Sequence, residues 1–438
     1  MIIKPAKSLS GNIAVPGDKS ISHRAVIVAA MADGNSRITN FSTGQDCETS
    51  IRCLRQLGVA IAQDGSNVVV RGNGKKGFHA STNALDCGNS GTTMRLLAGL
   101  LAGQDFESVL VGDESLMQRP MKRIIEPLRQ MGANVESNDG LAPIEIRPRS
   151  RLKAIRYETP VASAQLKSCI LLAGLNASGG TTVIENTHTR DHTELMLRWF
   201  GADITVFDED LGNGSLPKRV KVLGDSILHP KDIEVPGDIS SAVYFIAAAS
   251  CLSESRVEIQ NVGINPTRSG ILQFLAALGA DIDLLAMRNT NHEPSADIVF
   301  RGRDLLAHSA GSNLLDGKTV AGVIDEIPII AVMATQIEGG IEIRDAGELR
   351  LKETDRIAAV VENLRRMGAT VEEFDDGMRV ERSHLKGAEV DSFGDHRIAM
   401  SFAVAGLFAD GETNIKNPEC ADISFPGFFE MLESVVQR

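Results

Sequence analysis

Ile13-Ala14-Val15-Pro16-Gly17-Asp18-Lys19-Ser20 is repeated, with changes, as Ile233-Glu234-Val235-Pro236-Gly237-Asp238-Ile239-Ser240. Each copy reads as a short strand, a Pro-Gly turn and a helix start. The copies stand half the chain apart and divide its 438 residues into two similar halves. A longer unit recurs six times around them. A polar loop opens an apolar helix, a strand follows, and a second helix ends on a glycine before another strand. The first helices follow the two quoted stretches, Gly88-Asn89-Ser90-Gly91-Thr92-Thr93, Ser163-Ala164-Gln165, Asp325-Glu326-Ile327-Pro328 and Gly394-Asp395-His396-Arg397. The second helices stop at Leu57-Gly58, Met131-Gly132, Phe200-Gly201, Leu278-Gly279 and Met367-Gly368.

Three units per half predict an α/β (α+β) protein of two similar domains, each of roughly 200 residues and large enough for its own core. The two Val-Pro-Gly-Asp stretches are read as crossovers, near residues 15–18 and 235–238. A first strand left behind makes one domain discontinuous, residues 1–16 plus 237–438, with residues 17–236 inserted. Equivalent helix starts in a repeated fold point to equivalent places. Six helix N-termini turned toward one cleft would form a strong anion site.

Composition narrows the function. The net charge of -12 argues against a nucleic-acid partner, and 4% aromatic content argues against base stacking. Six scattered cysteines without a C-x-x-C pair read as reduced thiols of a cytoplasmic protein. No signal-peptide core and no long uncharged run is present, so no membrane association is expected.

Several motifs have a plain reading and a chemical one. Gly72-Asn73-Gly74-Lys75-Lys76-Gly77 matches G-x-G-x-x-G but opens no helix, which the dinucleotide fingerprint requires; it reads as a basic surface turn. His188 and His192 have the i, i+4 spacing of zinc ligands but no third ligand, and read as a helix start capped by Thr189 or Asp191. Lys19 and Arg24 put cations in a first helical turn, against the helix dipole, as a bound anion would require. Lys352 and Arg356 stand at i, i+4 around Glu353, where a cation can set a carboxyl for proton transfer. At Asp325-Glu326, N-capping accounts for one carboxylate and not for both.

Taken together, P-G-D-K-S-x-S-x-R, G-N-S-G-T-T-x-R, Q-R-P-M, S-A-Q-x-K-S, T-R-D-H-T, D-E-x-P, L-R-x-K-E-x-D-R and G-D-H-R-I-A-M resemble the 5-enolpyruvylshikimate-3-phosphate synthase family over essentially the whole chain. The resemblance implies two domains of three βαβαββ units each, an inside-out α/β barrel arrangement with an interdomain cleft. It implies transfer of the enolpyruvyl group of phosphoenolpyruvate to the 5-hydroxyl of shikimate 3-phosphate, by addition and elimination, with no metal or organic cofactor. It further implies a cytoplasmic monomer whose partners are these two small anions, and sensitivity to glyphosate. Carried over residue by residue, Asp325, Glu353 and Lys19 are catalytic. Lys19, Ser20, Arg24, Ser163, Ala164, Gln165, Arg190, Asp325 and Lys352 hold shikimate 3-phosphate. Lys19, Asn89, Gly91, Arg119, Gln165, Arg356, His396 and Arg397 hold phosphoenolpyruvate. Guanidinium and ammonium groups suit this task because the substrates bring two phosphates and two carboxylates together.

The chain departs from the pattern at Ala164, where some members have serine, and at Ile423, where some have lysine. A rival reading is UDP-N-acetylglucosamine enolpyruvyl transferase, which carries a reactive cysteine in the second unit. The loop Asp113-Glu114-Ser115-Leu116-Met117-Gln118-Arg119 has none. A non-catalytic anion sensor is the other rival, and it gives no reason for Asp325 and Glu353.

Overall fold

A computed structural model describes residues 1–148, 151–208, 217–302 and 313–438. The chain separates into two compact units. The discontinuous unit comprises Met1–Asp18, Pro236–Asn289 and Pro294–Arg438; the inserted unit comprises Lys19–Val235 with Thr290–Glu293.

Six helices organise the units. The inserted unit is built on α1 (Lys19–Met31), α2 (Gly91–Leu101) and α3 (Ala164–Gly174). The discontinuous unit is built on α4 (Ile239–Cys251), α5 (Ile327–Ala334) and α6 (His396–Leu407). Beyond their polar first turns and a few buried charges they are mostly apolar, and nearly every residue in them is buried. Such a helix belongs inside a layered domain rather than at its surface. Each unit accordingly has its own hydrophobic core.

A parallel pair of strands brackets α2, α3, α5 and α6. In the inserted unit Leu85–Asp86 lies beside Ser108–Val111, and Arg156–Glu158 beside Gly180–Glu185. In the discontinuous unit Leu314–Leu315 lies beside Ile341–Ile343, and Glu389–Asp391 beside Thr413–Lys416. Two first strands are exchanged. Ser8–Ile13 leads into α1 yet pairs with Arg256–Gly263, after α4. Ile233–Glu234 leads into α4 yet pairs with Asp33–Thr39, after α1.

The second helices end as their glycines require. Gly58, Gly132, Gly201, Gly279 and Gly368 all hold φ between +83° and +90°, the left-handed conformation that closes a helix without a Cβ penalty. The domain limits differ in detail from residues 16 and 237. Asp18 stays with the discontinuous unit because its N–H donates to the Pro236 carbonyl at 2.8 Å, while Asp238 N–H donates to Pro16 at 2.9 Å. Thr290–Glu293, the tip between strands Asp281–Thr290 and Glu293–Arg301, joins the inserted unit. There His192 Nδ1 lies 2.7 Å from Glu293 Oε1, and Asn291 Nδ2 donates to the Glu234 carbonyl at 2.7 Å. Among the described residues no helix is long and apolar enough to cross a membrane.

Candidate active site

In the inserted unit the starts of α1, α2 and α3 are tied to one another by side chains. Ser90 and Ser163 cap α2 and α3, accepting from Thr93 N–H at 3.2 Å and Leu166 N–H at 3.3 Å. Each cap satisfies one N–H and leaves others of the first turn directed outward from the helix end. Gln165 Nε2 donates to Thr92 Oγ1 at 2.9 Å, and its Oε1 accepts from Arg95. This joins α3 to α2. Arg24 joins α1 to the rest: Nε donates to Thr193 Oγ1 at 2.7 Å, Nη2 to Ser168 Oγ at 2.9 Å and Nη1 to the Ser20 carbonyl at 2.8 Å. Arg190 Nη1 lies 3.5 Å from Ser20 Oγ.

The cations at these helix starts are held in place. Lys19 Nζ pairs with Asp46 Oδ2 at 2.8 Å, both mostly buried. Arg119 donates through Nη2 to Asn89 Oδ1 at 2.6 Å and Ser115 Oγ at 3.2 Å, and Asn89 is itself fixed on Asp113 Oδ2 at 2.7 Å. Gly91 opens α2 against two guanidiniums: a methyl there would lie 2.9 Å from Arg95 Nη1 and 3.6 Å from Arg119 Nη1. Lys19, Ser20, Arg24 and Arg190 thus form one linked group; Asn89, Gly91, Arg119 and Gln165 with Arg95 form another. Ala164 follows the Ser163 cap as the first residue of α3. Cations and helix N-termini so arranged bind oxyanions.

The discontinuous unit gathers a different chemistry around Arg356, which is 2% exposed. Its Nε donates to Asp395 Oδ2 at 2.7 Å, its Nη2 donates to Glu353 Oε2 at 2.6 Å, and its Nη1 lies 3.6 Å from Asp325 Oδ1. Arg397 approaches Asp325 as well: Nη2 stands 3.7 Å from Oδ2, and Nη1 donates to the Asp325 carbonyl at 3.0 Å. Burial opposes the charge on both guanidiniums. Asp395 and Glu353 overcome it for Arg356, and Asp325 for Arg397, so both are held above the usual arginine range. Asp395 also caps α6, accepting from Arg397 N–H at 2.8 Å. His396 is the first residue of α6 and is buried.

A second buried cluster stands behind Asp325. Glu326 accepts from the Ser240 hydroxyl and lies 3.7 Å from Arg268 Nη1. Arg268 Nη2 also donates to Ser240 Oγ at 2.7 Å and to Asp238 Oδ1 at 3.2 Å, with Asp18 at 3.8 Å. Burial, then the charge of Asp18, pushes the Asp238 carboxyl up to about 6.

Three local readings are corrected by the structure. Lys352 and Arg356 do not share a helix. Lys352 ends the 3-10 turn Gly347–Leu351 and lies 3.4 Å from Glu348 Oε1, whereas Asp355 caps a new helix, Arg356–Arg366. Neither Asp325 nor Glu326 caps α5 through its side chain, because arginines draw both carboxylates away. Of the two expected cap residues, Asp191 holds the N-cap position of the helix His192–Trp199 but makes no side-chain cap bond, and Thr189 donates to Glu185 instead. His188 precedes the helix, so helical i, i+4 spacing to His192 does not apply. The basic turn expected at Lys75 and Lys76 is present, with Lys76 exposed, and both ammoniums also find carbonyl acceptors. Lys75 Nζ donates to the carbonyls of Leu175 at 2.8 Å and Gly224 at 2.7 Å, and Lys76 donates to Gly103. Burial lowers both ammonium pKa values.

Sequence reasoning passed over Asp46, Arg95, Arg268 and the ion-pairing of Asp395. Arg95 alone had a local signal, as the arginine of the G-N-S-G-T-T-x-R stretch.

Known proteins with this architecture are the enolpyruvyl transferases. EPSP synthase from Acinetobacter baumannii matches with a TM-score of 0.85 and 40% identity, over 99% of this chain and 97% of that one. The enolpyruvyl transferase NikO from Streptomyces tendae, 18% identical, shares the fold with a TM-score of 0.76 over 99% of this chain and 96% of that one. The 3-phosphoshikimate 1-carboxyvinyltransferase of Citrifermentans bemidjiense is 48% identical over 100% of this chain and 99% of its own length. That of Brevibacillus brevis is 48% identical over 99% of each. The family model for EPSP synthase (3-phosphoshikimate 1-carboxyvinyltransferase) matches residues 3–432, and the chain belongs to this family. Its reaction is the transfer of the enolpyruvyl group of phosphoenolpyruvate to the 5-hydroxyl of shikimate 3-phosphate, releasing phosphate, in the shikimate pathway to aromatic amino acids.

Proposed function

We propose the following division of this reaction among the residues. Lys19, Ser20, Arg24, Ser163, Ala164, Gln165, Arg190 and Lys352 hold shikimate 3-phosphate. Lys19, Asn89, Gly91, Arg119, Gln165, Arg356, His396 and Arg397 hold phosphoenolpyruvate. Asp325 takes the proton of the 5-hydroxyl as that oxygen attacks the central carbon of the enolpyruvyl group. Glu353 gives a proton to the methylene carbon, which becomes a methyl group. Loss of a proton from that methyl then re-forms the double bond as the carbon–oxygen bond to phosphate breaks. Lys19 balances the negative charge of both substrates. The scheme uses no metal and no organic cofactor. It is the chemistry of a cytoplasmic monomer with small-molecule partners and no nucleic-acid partner.

One observation carries this reading: a single buried guanidinium, Arg356, contacts Glu353, faces Asp325 and is anchored on Asp395. A shared cation keeps two carboxylates oriented at one place, where proton transfer depends on position before pKa. Simple anion binding gives no role to those carboxylates.

Gly91 tests the donor half. In a Gly91→Ala protein the new methyl presses on Arg95 and leans on Arg119. Glyphosate spans the same two anionic ends as phosphoenolpyruvate with a longer chain, so it suffers more from the lost space. The inhibition constant for glyphosate is expected to rise by about tenfold or more, the equivalent of ~1.4 kcal/mol of overpacking, with a smaller rise in KM for phosphoenolpyruvate. Equal inhibition constants for the two proteins would refute the placement of Gly91.

A further inference from the structure

Lys167 lies one turn into α3, just beyond Ser163 and Gln165, and is 1% exposed. Its ammonium sits 2.8 Å from Glu185 Oε2 and 2.7 Å from Glu194 Oε1. Glu185 ends the strand Gly180–Glu185, and Glu194 stands in the first turn of the helix His192–Trp199. The chain between that strand and that helix, residues 186–191, carries Arg190. Thr189 donates to the second oxygen of Glu185, drawing the middle of this segment to the same group. The neighbouring Ser168 bonds Thr193 Oγ1 at 2.6 Å and reaches the Ala164 carbonyl at 2.7 Å, so two successive residues of α3 grip the segment's far stem.

A buried ammonium between carboxylates is a poor choice for stability alone, because desolvation offsets much of the attraction and apolar residues of similar volume do as well. It does fix geometry. Burial raises the carboxyl pKa of Glu194, while Lys167, despite burial, is held charged by Glu194 and Glu185.

We propose that Lys167 is a positioning residue for binding of the phosphorylated acceptor: by clamping both stems of residues 186–191 to α3, it fixes the Arg190 guanidinium beside Ser20. The inference rests on the reading above that Arg190 holds shikimate 3-phosphate. Lys167 touches no substrate. Its influence runs through the orientation of Arg190, and it leaves the residues around Gly91 and Arg119 undisturbed.

The test compares wild type, Lys167→Met, Glu185→Gln, Arg190→Ala and the double variants Lys167→Met/Arg190→Ala and Glu185→Gln/Arg190→Ala. KM is measured for each substrate, and thermal melting confirms folding. Lys167→Met is expected to raise KM for shikimate 3-phosphate by about tenfold, as misplacement of an orienting group does, with kcat and KM for phosphoenolpyruvate within about twofold. Glu185→Gln gives a smaller rise of the same kind and carries the comparison if Lys167→Met does not fold. Each double variant is expected to bind no worse than Arg190→Ala alone, because a clamp has nothing to position once Arg190 is gone. Effects that multiply, or an equal rise in both KM values, overturn the inference while leaving Arg190 as a ligand. An Arg190→Ala protein with unchanged KM for shikimate 3-phosphate removes the reading of Arg190, and this inference with it.

Discussion

Asp325→Asn is expected to lower kcat by about a thousandfold while both substrates bind within a few-fold of wild type, the usual scale for losing a positioned general base. Asparagine keeps the shape of aspartate. The Asp325 carbonyl still accepts from Arg397 Nη1, so the backbone stays in place. What disappears is a basic oxygen 3.6 Å from Arg356 Nη1 and 3.7 Å from Arg397 Nη2. An amide there cannot take the hydroxyl proton, and it removes one negative charge from beside two arginines. Binding of anionic substrates therefore does not suffer and can tighten. Steady-state kinetics with calorimetric titration separate the two effects. A kcat within about tenfold of wild type would assign the base elsewhere.

Arg356→Met is expected to show in stability as well as activity. The substitution leaves Asp395, with a fully buried side chain, facing no guanidinium, and it releases Glu353. Removing one partner of a buried ion pair typically costs ~3–5 kcal/mol, because the remaining charge stays desolvated. The thermal midpoint should fall by several degrees. Arg356→Met/Asp395→Asn should recover most of that loss without recovering turnover, since the amide needs no counter-charge and still caps α6. Differential scanning calorimetry of the three proteins decides the point. A double variant no more stable than the single one would mean that packing, not the unpaired carboxylate, sets the cost.

What the sequence disclosed was local. The glycine stops and the apolar helices α1 to α6 each depend on a few adjacent residues, and each took the form its residues require. The repeated Val-Pro-Gly-Asp stretch marked the place where Ser8–Ile13 and Ile233–Glu234 change partners. The errors lay where distant groups outbid local ones. One of Asp325 and Glu326 was read as a cap of α5, but Arg356 and Arg397 approach the first carboxylate, and Ser240 and Arg268, far off in the chain, hold the second. The turn at Lys75 and Lys76 was legible, but the carbonyls of Leu175, Gly224 and Gly103 that accept from it were not. The stretch from Lys352 to Arg356 was misread for a local reason: Asp355 is an N-cap, and a cap breaks the helical spacing that had joined the two cations. Thr290–Glu293 carries no signal that it belongs with the inserted unit: Glu234 and His192, its partners, lie in quoted stretches, but a local motif does not say which distant chain its side chains and carbonyls meet.

The most direct measurement is release of inorganic phosphate from phosphoenolpyruvate by the purified chain, with and without shikimate 3-phosphate. If the guanidinium-held carboxylates and the cationic helix starts serve one transfer reaction, phosphate appears only when both compounds are present, in step with loss of the enolpyruvyl donor. Phosphate released without shikimate 3-phosphate, or none released with it, would contradict the assignment.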